Sequence, residues 1–243
     1  MSRLKVYAFS PRWGLPTAGP FALKLLAWLE ENAIAYELIP EDRSDRGPLG
    51  KSPWIEHDGT RLGDSDAIIA HLSERRSLPD PFAMASAADA CGQALKLAFE
   101  ERFHQILEWE LFVHPAGGEE ITKMIRAAAP PVLATIISRR LIRHFSRQLK
   151  ARGIGRLNDD AIAREGERLL TMLRLCLADG REWLSGGEAP GLVDFAVWGQ
   201  VAPMIAWPMD TPVASSAKAI GEIVQWHARV QARSFASSAR EAA

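Results

Sequence analysis

Cysteine is nearly missing from this chain. Cys91 and Cys176 are the only two in 243 residues. They stand far apart, in neither a CxxC nor a metal-ligand spacing. That excludes a disulfide-stapled framework and dithiol exchange, and predicts two reduced, buried thiols on helices in a cytoplasmic setting. Net charge is nearly missing too: 29 basic residues against 30 acidic ones leave −1. The chain as a whole is therefore not drawn to nucleic acid or to an anionic membrane. Charges interrupt every apolar run, so no transmembrane segment is predicted. The opening MSRLKVYAFS enters a strand-like run without an apolar signal core. Internal repeats and low-complexity tracts are absent as well. What is present is ordinary for a soluble globular protein, 47% hydrophobic and 24% charged. The length suits one large domain or two modest ones, each able to bury a core.

The densest information lies in residues 51–72, KSPWIEHDGTRLGDSDAIIAHL. Trp54–His57 reads as a short strand and Asp58-Gly59 as a tight hairpin turn, whose two central residues both need positive φ. Thr60–Leu62 returns as the partner strand. After Gly63, Asp64-Ser65-Asp66 opens an apolar helix with acids in its first turn, where they complement the dipole. A helix N-terminus of this kind presents unpaired N–H groups that suit a carboxylate. Ser65 adds a hydroxyl and Asp64 can hold an ammonium beside it, the pair of charges an α-amino acid head carries. An ordinary hairpin and capped helix with no ligand would also use these residues.

In chain order, Leu4–Phe9 predicts the first strand and Ser10–Gly19 a loop. A helix over Phe21–Asn32 follows, with Pro20 in its first turn, and then a second strand over Ala35–Ile39 reaching Pro40. A polar loop leads into the hairpin and helix above, giving β-α-β-loop-β-β-α. Ser77–Pro81, with two prolines, marks a linker. Beyond it the pattern is helical throughout: one long helix from Ala85 to about Val113, a break at His114-Pro115 and Gly117-Gly118, and a helix from Glu119 toward Ala129. After Pro130-Pro131 a helix runs to about Lys150. Another, capped by Asp159-Asp160, extends toward Ala178; then come Leu192 to about Ile205 and a last helix from about Ala217 to Arg233. The expected organisation is α+β, with a sheet domain over 1–78, a linker over 79–84 and an all-α domain over 85–243.

The succession Lys51-x-Pro53, apolar strand, Asp58-Gly59, Asp64-Ser65 resembles the second half of the thioredoxin-like domain of glutathione transferases, and Gly191-Leu192-Val193-Asp194 resembles a helix start of their helical domain. In the family that start is a reciprocal N-cap box; here Gly191 replaces the hydroxyl residue and Asp194 keeps its half. Together with the Trp13–Pro16 loop, Gly19–Lys24 and Gly153–Arg156, the pattern is similar to the metaxin-like or "failed axon connections" branch of the superfamily. The resemblance implies an N-terminal thioredoxin-like domain and an all-α C-terminal domain, with a cis Pro53. It also implies a homodimer, and glutathione as cosubstrate held by Lys51, Ser52, Pro53, Asp64 and Ser65. Conjugation to an apolar electrophile in the cleft between domains, without a metal, is the implied reaction.

Where the family places the Ser or Cys that steadies the glutathione thiolate, this chain has Gly19. A hydrogen bond to the charged form is what lowers a thiol pKa, so another donor is required. Thr17 is the first choice, or else a turn residue only; Ser10, Tyr7 and the backbone N–H groups of the Gly19–Phe21 region are the others, with Tyr7 read first as a half-buried strand residue. Trp13, Trp109 and Phe112 are candidates for the second-substrate pocket, or else packing. His57 and His71 read as structural or exposed. Arg139, Arg140, Arg143, Arg147, Lys150, Arg152 and Arg156 form an acid-free run, in which Arg139, Arg143, Arg147 and Lys150 share a helical face. That face is either solvated, or a contact for a phospholipid surface or an acidic partner. Phe145 alone interrupts the cations with an aromatic, which disfavours single-stranded nucleic acid. The other function class is a non-catalytic binding module that keeps the fold, has lost the thiol-activating group and uses this basic face.

Overall fold

The computed structural model describes residues 3–235. The ends of the two expected domains, 1–2 and 236–243, lie outside the described residues. A sheet of order β2-β1-β3-β4 is built from β1 (Leu4–Ala8), β2 (Tyr36–Pro40), β3 (Trp54–His57) and β4 (Thr60–Gly63). β1 runs parallel to β2 and antiparallel to β3, with Val6 opposite both Leu38 and Ile55. The hairpin turns on Asp58 and Gly59, both at positive φ. The parallel pair requires a crossover, supplied by α1 (Pro20–Glu31); α2 (Ser65–Arg75) follows β4.

α1 is buried on all sides from Ala22 to Leu29, so its apolar stripe is only part of what it packs. Its deepest partner is α8 (Leu192–Ala206), where Gly199 has a structural reason: a Cβ there would stand 2.5 Å from the Pro20 carbonyl oxygen. That approach joins the sheet half to the helical half in one core containing Leu4, Val6, Leu23, Ile55, Phe99, Trp198 and Trp226.

The helical half opens with α3 (Ala87–Leu97), capped reciprocally by Ser86 and Asp89. It continues through a π-helical stretch, Ala98–Phe103, into α4 (His104–Phe112). The expected single long helix is thus one rod with a wider middle. The expected break at Gly117-Gly118 is corrected. α5 (Pro115–Ala128) begins at Pro115, with the His114 ring accepting the Ala116 N–H. Gly117 sits inside the helix because a Cβ would fall 2.0 Å from the Glu110 carbonyl oxygen. α6 (Pro131–Ala151) and α7 (Asp159–Leu177) follow, the latter capped by Asn158 rather than by Asp159.

The expected last helix is α10 (Gly221–Phe235), and a further helix, α9 (Pro212–Ala219), precedes it and takes the residues where it was expected to begin. The first amides of α9 go to a distant partner, the buried Glu110 carboxylate, which accepts from Val213 N and Ala214 N and from Thr211 Oγ1. Asp194 does more than half a cap. Fully buried, it accepts from the backbone of Gly191, Leu184 and Ser185 and from the Trp226 indole, tying the loop before α8 to α10.

Candidate functional site

The hairpin and the start of α2 form one wall of the candidate site. Asp64 caps α2: its Oδ1 accepts the N–H groups of Asp66 and Ala67, each at 3.0 Å, while among the described residues Oδ2 has no partner. The cap is held at φ 71, a left-handed conformation that a non-glycine residue adopts at a cost. Ser65, first residue of the helix, is 4% exposed. Beside it, the Ser52–Pro53 bond is cis, and Ser52 Oγ is buried without a partner among the described residues.

The start of α1 is brought alongside by charge. Lys24 Nζ stands 2.6 Å from Asp66 Oδ1 and 2.5 Å from Glu100 Oε1, and Lys96 Nζ stands 2.5 Å from Asp66 Oδ2 and 2.6 Å from Glu100 Oε2. Two lysines and two carboxylates thus close a neutral ring across α1, α2, α3 and the π-helical stretch. Both lysine side chains are only 2% exposed, and the two carboxylates offset the cost of burying their charge. Burial pushes the Asp66 carboxyl up, but the two ammonium groups outweigh it and hold it below its ordinary value. By the reverse balance, Lys96 is held above its own. The ring thus ties the second turn of α1 to the first turn of α2.

A second polar group, on α4 and at the end of α6, adjoins the start of α1. His104 packs its ring on Phe21, the second residue of α1, with centroids 4.9 Å apart. His104 Nδ1 faces Gln200 Oε1 at 3.0 Å and Nε2 faces Glu108 Oε1 at 3.5 Å; Arg152 Nη1 donates to Glu108 Oε2 at 2.9 Å. Burial raises the Glu108 carboxyl, yet His104, Arg152 and Lys51 together hold it below the carboxylate range. Lys51, from the hairpin side, is therefore close enough for its charge to be felt on α4.

Residues 20–117, which include most of these side chains, match the family model described as the glutathione S-transferase N-terminal domain. The isoprene-epoxide glutathione S-transferase of Rhodococcus sp. (strain AD45) is 32% identical over 113 residues, covering 45% of this chain and 44% of that protein. Failed axon connections of Drosophila melanogaster is 34% identical over 70 residues, covering 29% of this chain and 17% of that protein. Less than half the length of either curated relative is matched. Among solved structures, the beta-etherase LigF from Sphingobium sp. strain SYK-6 superposes with a TM-score of 0.63 at 18% identity, covering 100% of both chains. Residues 20–117 thus match the glutathione S-transferase N-terminal family, and the chain as a whole shares the fold of solved glutathione transferases.

Within that transferase frame, the other candidates fall as follows. Thr17 is wholly buried, 0% exposed, with Oγ1 accepting the Gly19 N–H at 3.1 Å. The space a side chain at Gly19 would enter is taken: a Cβ would lie 3.1 Å from the Phe9 ring. The Tyr7 hydroxyl donates to Glu56 Oε2, and burial together with that carboxylate raises its pKa. Ser10 Oγ donates to Asp42. Trp13 sits at φ 51 in a tight turn closed by Arg12 and Leu15, its indole edge-on to Trp207 at 5.9 Å. Trp109 is 3% exposed and packs edge-on to His114, and Phe112 stacks on Phe145 at 3.7 Å. His57, buried, has Asp58 Oδ2 at 3.8 Å and His71 edge-on at 6.1 Å.

Sequence reasoning did not find His104, Glu108 and Arg152. The i,i+4 spacing of the first two was visible, but a helix of this composition offers several such pairs. Only the fold shows that His104 meets Phe21.

Proposed function

We propose that this chain is a glutathione transferase that adds the glutathione sulfur to a small apolar electrophile. The observation that carries the reading is the α2 start. Asp64 is strained into a cap that spends one carboxylate oxygen on the Asp66 and Ala67 amides and leaves the other for an ammonium, and Ser65, the first residue of the helix, offers its hydroxyl and N–H to the adjacent carboxylate. In this reading Lys51, Ser52 and Pro53 receive the rest of the tripeptide, and Ser52 Oγ gains the partner it lacks.

Thiolate stabilisation falls to the α1 start. Thr17, being buried, acts through the Gly19 N–H it holds, which leaves the Phe21 and Ala22 amides at the helix N-terminus to face the sulfur. Trp13, Phe21 and His104 form the second-substrate wall. The Rhodococcus relative is named for an isoprene epoxide, so small epoxides are the electrophile class to test first. Ring opening forms a carbon–sulfur bond and breaks a carbon–oxygen bond. The alkoxide so formed takes a proton from water or from an adjacent acid.

Calorimetric titration with glutathione, paired with thiolate absorbance of the complex, tests the reading. Binding with a lowered thiol pKa is expected, and Asp64→Ala is expected to weaken it about tenfold or more, the loss of one charge-assisted contact. Absence of binding at millimolar glutathione, or an Asp64→Ala variant that binds unchanged, would defeat it.

A further inference from the structure

α6 contributes Arg152's neighbourhood to the cleft and otherwise turns outward. Its inner face, with Ala134, Ser138, Phe145 and Leu149, packs on α4 and α5. Its outer face comes in two lengths. In the first two turns Val132 is 76%, Leu133 48%, Ile136 58% and Ile137 40% exposed. Further along, Arg139, Arg140, Arg143, Arg147 and Lys150 are exposed and, among the described residues, none has an acidic partner. At 3.6 residues per turn these two sets lie on one face of a 21-residue helix, about 30 Å long.

Four large aliphatic side chains open to water on adjacent turns are more than the scatter of a free surface. The cations continuing the same face select the partner. A second copy laid against it would set arginines on arginines or on aliphatics. An anionic bilayer satisfies both lengths at once: its hydrocarbon edge takes the apolar tip, and its phosphates take the guanidinium groups, whose stems can lie along the interface. The overall charge of −1 adds no general attraction, so such binding would be confined to this face.

We propose that the outer face of α6 is a docking surface for an anionic phospholipid bilayer, with Val132, Leu133, Ile136 and Ile137 entering the interface and the arginines beyond them at the phosphates. The proposal stands independently of the transferase reading.

Co-sedimentation of the full chain with phosphatidylcholine–phosphatidylserine vesicles, against phosphatidylcholine alone, tests it. Binding to the mixed vesicles, released by salt, is expected. Each arginine near an anionic surface is worth roughly a fivefold change in partitioning, so Arg140→Ala with Arg143→Ala should weaken binding about thirtyfold. Val132→Ser with Ile136→Ser should abolish what survives in high salt. All four side chains are exposed, so circular dichroism and melting temperature should stay put and certify the variants as folded. Three outcomes overturn the proposal: no vesicle binding, binding that neither pair alters, or a dimer that Val132→Ser with Ile136→Ser dissociates while vesicles bind nothing.

Discussion

Two groups of cations in this chain are treated in opposite ways. Lys24 and Lys96 are buried and matched oxygen for nitrogen by Asp66 and Glu100. The arginines of α6 are exposed and unmatched. The first group lies where the two halves of the molecule meet, and the second lies where the molecule ends. In the interior a charge left single would cost several kcal/mol, so each cation there implies its partners and fixes geometry. At the surface an unmatched cation costs almost nothing and stays available for something outside the chain.

The comparison is broken most forcefully at Lys24. Lys24→Ala leaves Glu100 short of a cation in a dry site and should destabilise the fold by about 3 kcal/mol, read as a fall in melting temperature. The double variant Lys24→Met with Glu100→Gln removes the charge pair together and should recover part of that loss; no recovery would mean that shape, not charge, holds the seam.

A second strain on the interior comes from acid. His227 on α10, stacked on Trp198, is held neutral by burial, its pKa pushed down to about 4 from 6.5. The unfolded chain binds that proton at higher pH than the folded one. The stabilising contribution is therefore complete above about pH 6.5 and is lost as pH falls toward about 4. The loss should reach about 3 kcal/mol, and His227→Phe should flatten the slope of stability across this window. A slope that persists in the variant would assign it to other groups.

At the surface the same kind of insult should barely register. Arg140→Glu with Arg143→Glu should change stability by less than about 0.5 kcal/mol. A larger effect would show these side chains to be structural and would erase the contrast between the two groups.

The residues that sequence made legible are those whose partners are close in the chain. Asp58-Gly59 announces its own turn, and Asp64 caps amides two and three residues on. The order of strands and helices, and so the fold, followed from such local signals. Gly117 misled because a glycine can mark a break or a close approach, and only the position of the Glu110 carbonyl distinguishes them. The α9–α10 division depended on Glu110, about a hundred positions from the amides it accepts. The candidate site divides the same way. The hairpin wall lies within one short stretch and could be read, whereas His104 acquires meaning only from Phe21 across the fold. Even Thr17, named from its place in the loop, did not disclose that its hydroxyl faces inward.

The neutral ring also ties the sheet half to the helical half at one point. Swinging the sheet half away from the helical half would pull Lys24 from Glu100 and Asp66 from Lys96 in one motion, with little water at hand to receive the separated charges. Such a hinge is opposed by the cost of parting buried charges. In the proposed transferase, substrates would then be selected by the size of a fixed site and not by how far a jaw can open.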